Sequence, residues 1–281
     1  MTKLEKKQEV IEKHLDFLDI EKIREYTKCK WMAKEVVLLE ETGSTNVEAA
    51  KLAQQGMDHG TVVIADRQTC GKGRRGRSWH TPGNTSIAMS FLLKPQLEAE
   101  YASMLTLVQA MAVAEAVEEV TALKSQIKWP NDILINEKKV CGILTEMNLS
   151  GNEISSIIIG TGINVNQESF PEEIREIATS LKNESGEVQC REKLMGVICK
   201  KFEQYYEQFL TTKDLSCIME EYNARLVSAG RSVRVLDPKG EYTGEAIGIN
   251  VRGELQVRQD DGEIINVYAG EVSVRGIYGY V

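Results

Sequence analysis

The spacing of apolar residues changes character near residue 230. Before it, they recur at helical intervals or in short continuous runs; after it, they alternate in short segments broken by glycine. In the first twenty-seven residues, Leu4, Ile11, Leu15 and Leu18 fall on one helical face, with a break near Asp19. Residues 36–39 predict a strand, and Thr45-Asn46-Val47-Glu48 has the capping-box spacing that opens a helix through Ala53. Ser44 to Asn46 therefore fall at a strand-to-helix junction. Residues 61–66 and 85–94 predict buried strands, and 101–120 an Ala-rich helix able to pack closely on a sheet. Residues 133–135 and 140–146 flank a polar Glu137-Lys138-Lys139 turn, which predicts a hairpin. A strand over 154–159 runs into Gly160-Thr161-Gly162-Ile163-Asn164, where glycine serves either a close approach to a ligand or a plain turn. Pro171 is placed to begin a short helix, and longer helices are expected over 191–210 and 214–229, the last closed by Gly230. Short strands follow at 232–236, 242–249, 254–258, 264–267 and 271–274, the pattern of a small β-barrel. The expectation is an α+β domain with a mixed sheet over 31–229, preceded by a helical extension over 1–30 and followed by the β domain over 230–281.

Residues 69–84 interrupt this pattern. They hold many glycines and cations and almost nothing to bury, so a mobile loop is expected there. The chain as a whole is acidic, with a formal charge of -8, which argues against a free nucleic-acid binder. Phosphate chemistry would need a local basic pocket. The six cysteines show neither C-x-x-C nor zinc-ligand spacing, and no apolar run approaches bilayer length. Reduced thiols in a cytoplasmic protein with no membrane role are expected.

Gly71-Lys72-Gly73-Arg74-Arg75-Gly76-Arg77 places four cations among three glycines. Free amides and guanidinium groups can surround a phosphate, although a solvated basic loop or a nucleic-acid contact has the same composition. In Lys128-Trp129-Pro130-Asn131-Asp132, Trp and Pro stiffen a turn and hold its polar neighbours still, as a reaction centre requires; a turn in which Asn and Asp cap amides reads the same way. Lys139 by itself is a solvated turn lysine. The three histidines lack metal spacing, and the chain has no G-x-S-x-G elbow, dinucleotide fingerprint or P-loop.

Taken in order, Ser44-Thr45-Asn46, the segment from Gln68 to Trp79, Lys128 to Asp132, Lys139 to Gly142 and Gly160 to Asn164 resemble the biotin protein ligase family, and the likeness spans roughly residues 20–281. The resemblance implies a catalytic domain like that of class II aminoacyl-tRNA synthetases and a C-terminal SH3-like barrel. It implies that biotin's carboxylate attacks the α-phosphate of Mg-ATP to give biotinyl-5′-adenylate and pyrophosphate. A lysine of a biotin carboxyl carrier protein domain then attacks the mixed anhydride to form an amide. By the same resemblance, Ser44, Thr45, Asn46 and Gln68 bind the ureido head. Gly71, Lys72, Gly73 and Arg74 fold over the ligand, Trp79 and Gly142 wall it, and Arg74, Arg77, Lys128, Asn131, Asp132 and Asn164 serve the ATP side. Lys139, Arg74 and Asp132 are the implied catalytic groups. Asn131 and Asp132 would organise Mg-ATP, Asp132 would orient or deprotonate the amine, and no protein-held metal site is expected. Lys72 stands where an arginine is common in the family, keeping charge but losing the bidentate fork. Gly43 stands where a polar residue is common. The short segment before the catalytic domain leaves no room for a helix-turn-helix, so specific DNA binding is not expected, and the chain is expected to be a monomer or weak homodimer. A lipoate or octanoate ligase is the nearest rival, and a biotinyl-adenylate-sensing regulator the non-enzymatic one.

Overall fold

A strand that is apolar on nearly every residue is stable only when both its faces are covered. In the computed structural model, which describes residues 17–151, 153–237, 240–269, 273–276 and 280–281, that rule selects the middle of a seven-stranded sheet. The sheet comprises β1 (Val36–Thr42), β2 (Thr61–Gln68), β3 (Ser86–Leu93), β4 (Gln126–Lys128), β5 (Asp132–Ile135), β6 (Lys138–Ser150) and β7 (Glu153–Asn164), in the order β1-β2-β3-β7-β6-β5-β4. Every residue of β3 is buried. β1 and β2 are parallel, joined by the short helix α2 (Thr45–Gln54), and all other pairs are antiparallel. The mixed α+β expectation holds.

The two faces of the sheet are covered unequally. On one, Ile64, Met89, Phe91, Ile159 and Ile163 meet α3 (Met104–Thr121), whose Ala110, Ala112, Ala114 and Ala116 allow close approach, and α5 (Arg191–Thr212) packs outside it. On the other, α2 covers only a small cluster of Val63, Leu92 and Ile158 through Ala49. The remainder of that face is crossed by one rung spanning all seven strands: Leu39, Ala65, Ala88, Gly162, Gly142, Asp132 and Lys128. Small residues in the middle of the rung leave a shallow floor.

The hairpin of β5 and β6 departs from expectation in a way that matters. Its turn lies at Asn136 and Glu137, both with positive φ, one residue earlier than expected, so Lys139 belongs to β6. A register shift then pairs Lys139 with Leu134 and Cys141 with Ile133, leaving Val140 as the extra residue of a β-bulge. Strict alternation would put Lys139 on the face of Cys141 and Ile143, against α3. The bulge transfers it to the face of Asp132 and Gly142. Gly160 and Gly162 likewise lie inside β7, which continues to Asn164. The segment after Pro171 forms turns rather than a helix, and the helix expected over 214–229 is limited to α6 (Met219–Arg225).

Of the N-terminal helical pattern, residues 4–16 lie outside the described residues. The described part, α1 (Ile20–Tyr26), is capped by Asp19 and seats its buried Ile23 and its partly exposed Tyr26 against α5, where Gly196 leaves room for Tyr26. The chain then turns over the buried Glu203 of α5, whose carboxylate accepts from the backbone N–H groups of Lys30, Trp31 and Met32 at 2.8, 2.8 and 2.9 Å. A short helix α4 (Leu181–Ser185) follows β7. Beyond α6, β8 (Ser232–Asp237), β9 (Gly240–Ile249), β10 (Leu255–Arg258), β11 (Ile264–Val267) and β12 (Ser273–Gly276) form an antiparallel five-stranded sheet. It is fastened to the larger sheet where Trp129 Nε1 donates to Gly253 O at 3.0 Å. No helix among the described residues is long and apolar enough to cross a membrane.

Glu203→Ala leaves three amides of the β1 approach without their acceptor. The expected cost is about 3 kcal/mol, read as a lower urea midpoint with an unchanged slope. A midpoint equal to wild type would mean that water replaces the carboxylate.

Candidate active site

The glycines of β7 make room for two side chains that lie flat on the sheet. A Cβ at Gly160 would overlap the amide of Asn46, and one at Gly162 would overlap the indole of Trp79; Gly142, opposite Gly162, lies under the same indole and the Lys139 side chain. Between Asn46 and Trp79 runs a narrow pocket lined by Ser44, Thr45, Gln68, Arg74, Lys139 and Gly142, with Lys72, Gly73 and Asn131 at its rim.

One end of this pocket is polar and uncharged. Ser44 caps α2 by position but makes no cap hydrogen bond through its side chain. Gln68 Oε1 accepts from Thr45 N at 2.9 Å and lies 3.2 Å from Thr45 Oγ1, while its Nε2 donates to Thr81 Oγ1 at 3.0 Å. Asn46 Nδ2 donates to Glu146 Oε2 at 2.7 Å and to Leu144 O at 3.3 Å. Ser90 Oγ lies 2.6 Å from Asn46 Oδ1 and 2.8 Å from Thr45 Oγ1. The free capacity is a Ser44 hydroxyl, one Gln68 N–H, and lone pairs on Thr45 and Asn46. Two donors and two acceptors complement a cyclic urea, with its one carbonyl and two N–H groups.

The other end is ionic. Asp132 Oδ1 pairs with Lys139 Nζ at 2.6 Å, and Asp132 Oδ2 accepts from Tyr280 at 2.6 Å. Burial opposes ionisation of Asp132, but Lys139, the Tyr280 hydroxyl and Lys128 overcome it and hold the carboxyl below its ordinary pKa. Lys128 Nζ stands 3.7 Å over the Tyr280 ring. Burial, with repulsion from Lys139, Arg275 and Arg77 and against the pull of Asp132, brings its pKa down to about 8. Arg74 donates to Asn131 Oδ1 at 3.0 Å and to Ala269 O at 2.9 Å; Asn131 Nδ2 in turn donates to Ile143 O at 3.0 Å.

The glycine-rich segment is a short hairpin with a 3₁₀ turn at Arg74–Gly76, set by bridges between Gln68 and Thr81 and between Lys72 and Ser78. Gly71 is required because a Cβ there would overlap the Trp79 carbonyl, which places Trp79 across the hairpin from it. The hairpin separates the narrow pocket from a larger cleft lined by Arg77, His80, Asn164, Phe170 and Tyr280, and both cavities are walled by Trp79 and Lys139. Lys128 and Asp132 line a third recess between them.

All the residues expected at the site thus line these adjoining cavities, except Gly71, which shapes the hairpin. Asn164 faces the larger cleft with its amide engaged, Nδ2 to Thr179 O at 3.0 Å and Oδ1 from Gln167 at 3.2 Å. Sequence reasoning missed Thr81, Ser90, Glu146, the Ala269 carbonyl and Tyr280. Ser90 alone left a signal, as a polar residue inside an apolar run; the rest come from distant segments.

Residues 38–164 match the biotin/lipoate A/B protein ligase family, and residues 229–275 match the biotin protein ligase C-terminal domain. The chain is 37% identical over 256 residues to the bifunctional ligase/repressor of Bacillus spizizenii, covering 90% of this chain and 78% of that protein. It is 32% identical over 244 residues to the biotin--[acetyl-CoA-carboxylase] ligase of Paracoccus denitrificans, covering 85% of this chain and 100% of that one. The solved structure of biotin protein ligase from Aquifex aeolicus in complex with biotin and ATP superposes with a TM-score of 0.76 at 33% identity, over 86% of this chain and 99% of that one. The chain belongs to the biotin protein ligase family.

Lys128 titrates below its ordinary value of 10.5, so its charge opposes folding fully below about pH 8, and the penalty disappears as pH rises toward 10.5. Lys128→Met is expected to raise Tm by a few degrees at pH 7, with the gain shrinking between pH 8 and 10.5. An equal gain at both ends of that window would contradict the depressed pKa.

Proposed function

We propose that this chain activates biotin with ATP as biotinyl-5′-adenylate and transfers it to a lysine of a biotin carboxyl carrier domain. The observation that supports this most directly is the junction of the two cavities at Lys139 and Trp79. A neutral head fits the urea-complementary end of the narrow pocket, its carboxylate reaches the cations at the other end, and a nucleotide fits the cleft beyond.

Ser44, Thr45, Asn46 and Gln68 hold the ureido head, and Trp79 lies between the two substrates. In the first step a carboxylate oxygen attacks the α-phosphorus and pyrophosphate departs. Lys139, Arg74 and Arg77 stabilise the charge building on the phosphoryl oxygens, with Asn131 aiming Arg74. In the second step the neutral amine of the acceptor attacks the acyl carbon, the acyl–phosphate C–O bond breaks with its electron pair leaving on AMP, and the proton of the new ammonium passes to solvent. A carboxylate held below its ordinary pKa is a poor proton acceptor, so Asp132 orients Lys139 and the incoming amine rather than acting as the base. Magnesium accompanies ATP as part of the substrate. The described residues hold no cluster of three or more His, Cys, Asp and Glu able to bind it alone, and both oxygens of Asp132 are engaged.

The acceptor domain docks along β6. Beyond Ile143, whose N–H still donates to Asn131 O, this strand pairs only with β7 among the described residues, and it presents Met147 and Leu149, the latter 53% exposed. The docking is apolar and edge-on, which suits an acidic ligase meeting an acidic acceptor.

Pyrophosphate exchange should require biotin and fail with octanoate or lipoate; exchange without biotin would overturn the reading. Lys139→Ala should lower the adenylation rate by about a hundredfold or more, because its charge acts on the transition state; an unchanged rate would make it a surface lysine. Leu149→Asp should raise KM for the carrier domain about tenfold while leaving biotin-dependent exchange intact. An unaltered carrier KM would place the docking surface elsewhere.

A further inference from the structure

An asparagine in a pocket wall offers a ligand either an acceptor or a donor, depending on which way its amide faces, and the backbone does not decide between them. Asn46 lies over Gly160 of β7, between a residue of β3 on one side and a residue of β6 on the other: Ser90 Oγ is 2.6 Å from its Oδ1, and Glu146 Oε2 is 2.7 Å from its Nδ2. Ser90 is fully buried, and Glu146 lines none of the three cavities that form the site. We propose that Glu146 and Ser90 are positioning residues that fix the polarity of the head pocket through Asn46. The proposal rests on the assignment of that pocket to a ureido head.

The chemistry leaves one arrangement. An ionised carboxylate only accepts, so it draws the NH₂ of Asn46 toward itself, and the Leu144 carbonyl at 3.3 Å takes the second hydrogen. The Ser90 hydroxyl donates to Oδ1 on one lone pair, leaving the other directed at the ligand. The reversed amide would set Oδ1 against the Glu146 carboxylate and present an N–H to the pocket, where it would meet the N–H of a urea. With the Ser90 proton on Asn46, the Thr45 hydroxyl 2.8 Å away donates to Ser90 Oγ and keeps its lone pair for the ligand, while the Thr45 backbone N–H donates to Gln68 Oε1, so Ser90 orients both acceptors of the head pocket. A glutamate thus aids recognition of a neutral ligand it does not touch.

Three variants test this: Glu146→Ala, Glu146→Gln and Ser90→Ala, each in the full chain with its thermal melt compared with wild type. The readouts are biotin-dependent pyrophosphate exchange and the Kd for biotin alone by calorimetry. Glu146→Ala is expected to raise KM and Kd for biotin about tenfold or more, with kcat and KM for ATP within about twofold of wild type, and Ser90→Ala should do the same more weakly. Glu146→Gln can still turn a carbonyl oxygen toward Asn46 and should stay within about threefold of wild type. Wild-type biotin affinity in Glu146→Ala and Ser90→Ala overturns the proposal. So does a glutamine variant as impaired as the alanine variant, or a loss shared equally by biotin KM, ATP KM and kcat. Exchange that needs no biotin in the wild type would instead overturn the ligase reading beneath it.

Discussion

Two side chains must lie flat on the middle of a sheet for this site to exist, and a sheet has room for them only where it has no side chains of its own. The rung from Ala65 through Ala88, Gly162 and Gly142 meets that demand, and Gly160 extends it by one position under Asn46. Glycine inside a strand weakens it. Here the loss is borne by the stretch of β7 that is flanked by both β3 and β6 and has α3 packed behind it. The face that carries the core and the face that carries the chemistry are therefore complementary: full-sized apolar residues on one side allow near absence of side chains on the other. Trp79 then completes the wall from outside the sheet, which is why the hairpin that delivers it needs Gly71 at the crossing.

Charge is handled with similar locality. In a chain of net charge -8, Lys128, Lys139, Arg74 and Arg77 gather around a single buried carboxylate. Asp132 cannot neutralise them all, and the excess positive field in a partly desolvated recess favours anionic substrates. The smaller domain contributes to this recess, since the Ala269 carbonyl accepts from Arg74 and the Tyr280 hydroxyl donates to Asp132. The site is thus built from both sheets, and the docking of Trp129 on Gly253 helps to set its geometry.

Much of this was legible in the sequence where the signal is local. The capping-box pattern located the strand-to-helix junction at Ser44 to Asn46, although the cap falls on Ser44 rather than Thr45 and no side chain makes it; the cations between Gly71 and Arg77 marked the hairpin, although its regular pairing was not anticipated in so polar a stretch. The glycines at 160 and 162 were read as the end of a strand because glycine ordinarily breaks one; only the side chains resting on them explain their place in its middle. Lys139 looked like a turn residue because two polar neighbours precede it, and a β-bulge at Val140 leaves no mark in periodicity. Tyr280 and Glu146 act on partners 148 and 100 positions away, beyond the reach of any local pattern.

The dependence of the site on a bare sheet is tested most directly by biotin and ATP titrations of Gly160→Ala and Gly162→Ala, with circular dichroism confirming the fold. The predicted result is weaker biotin binding with ATP affinity retained in the first, where the methyl displaces Asn46. Both affinities should fall in the second, where it displaces the Trp79 wall shared by the two cavities. Wild-type affinities for both ligands in both folded variants would contradict the account.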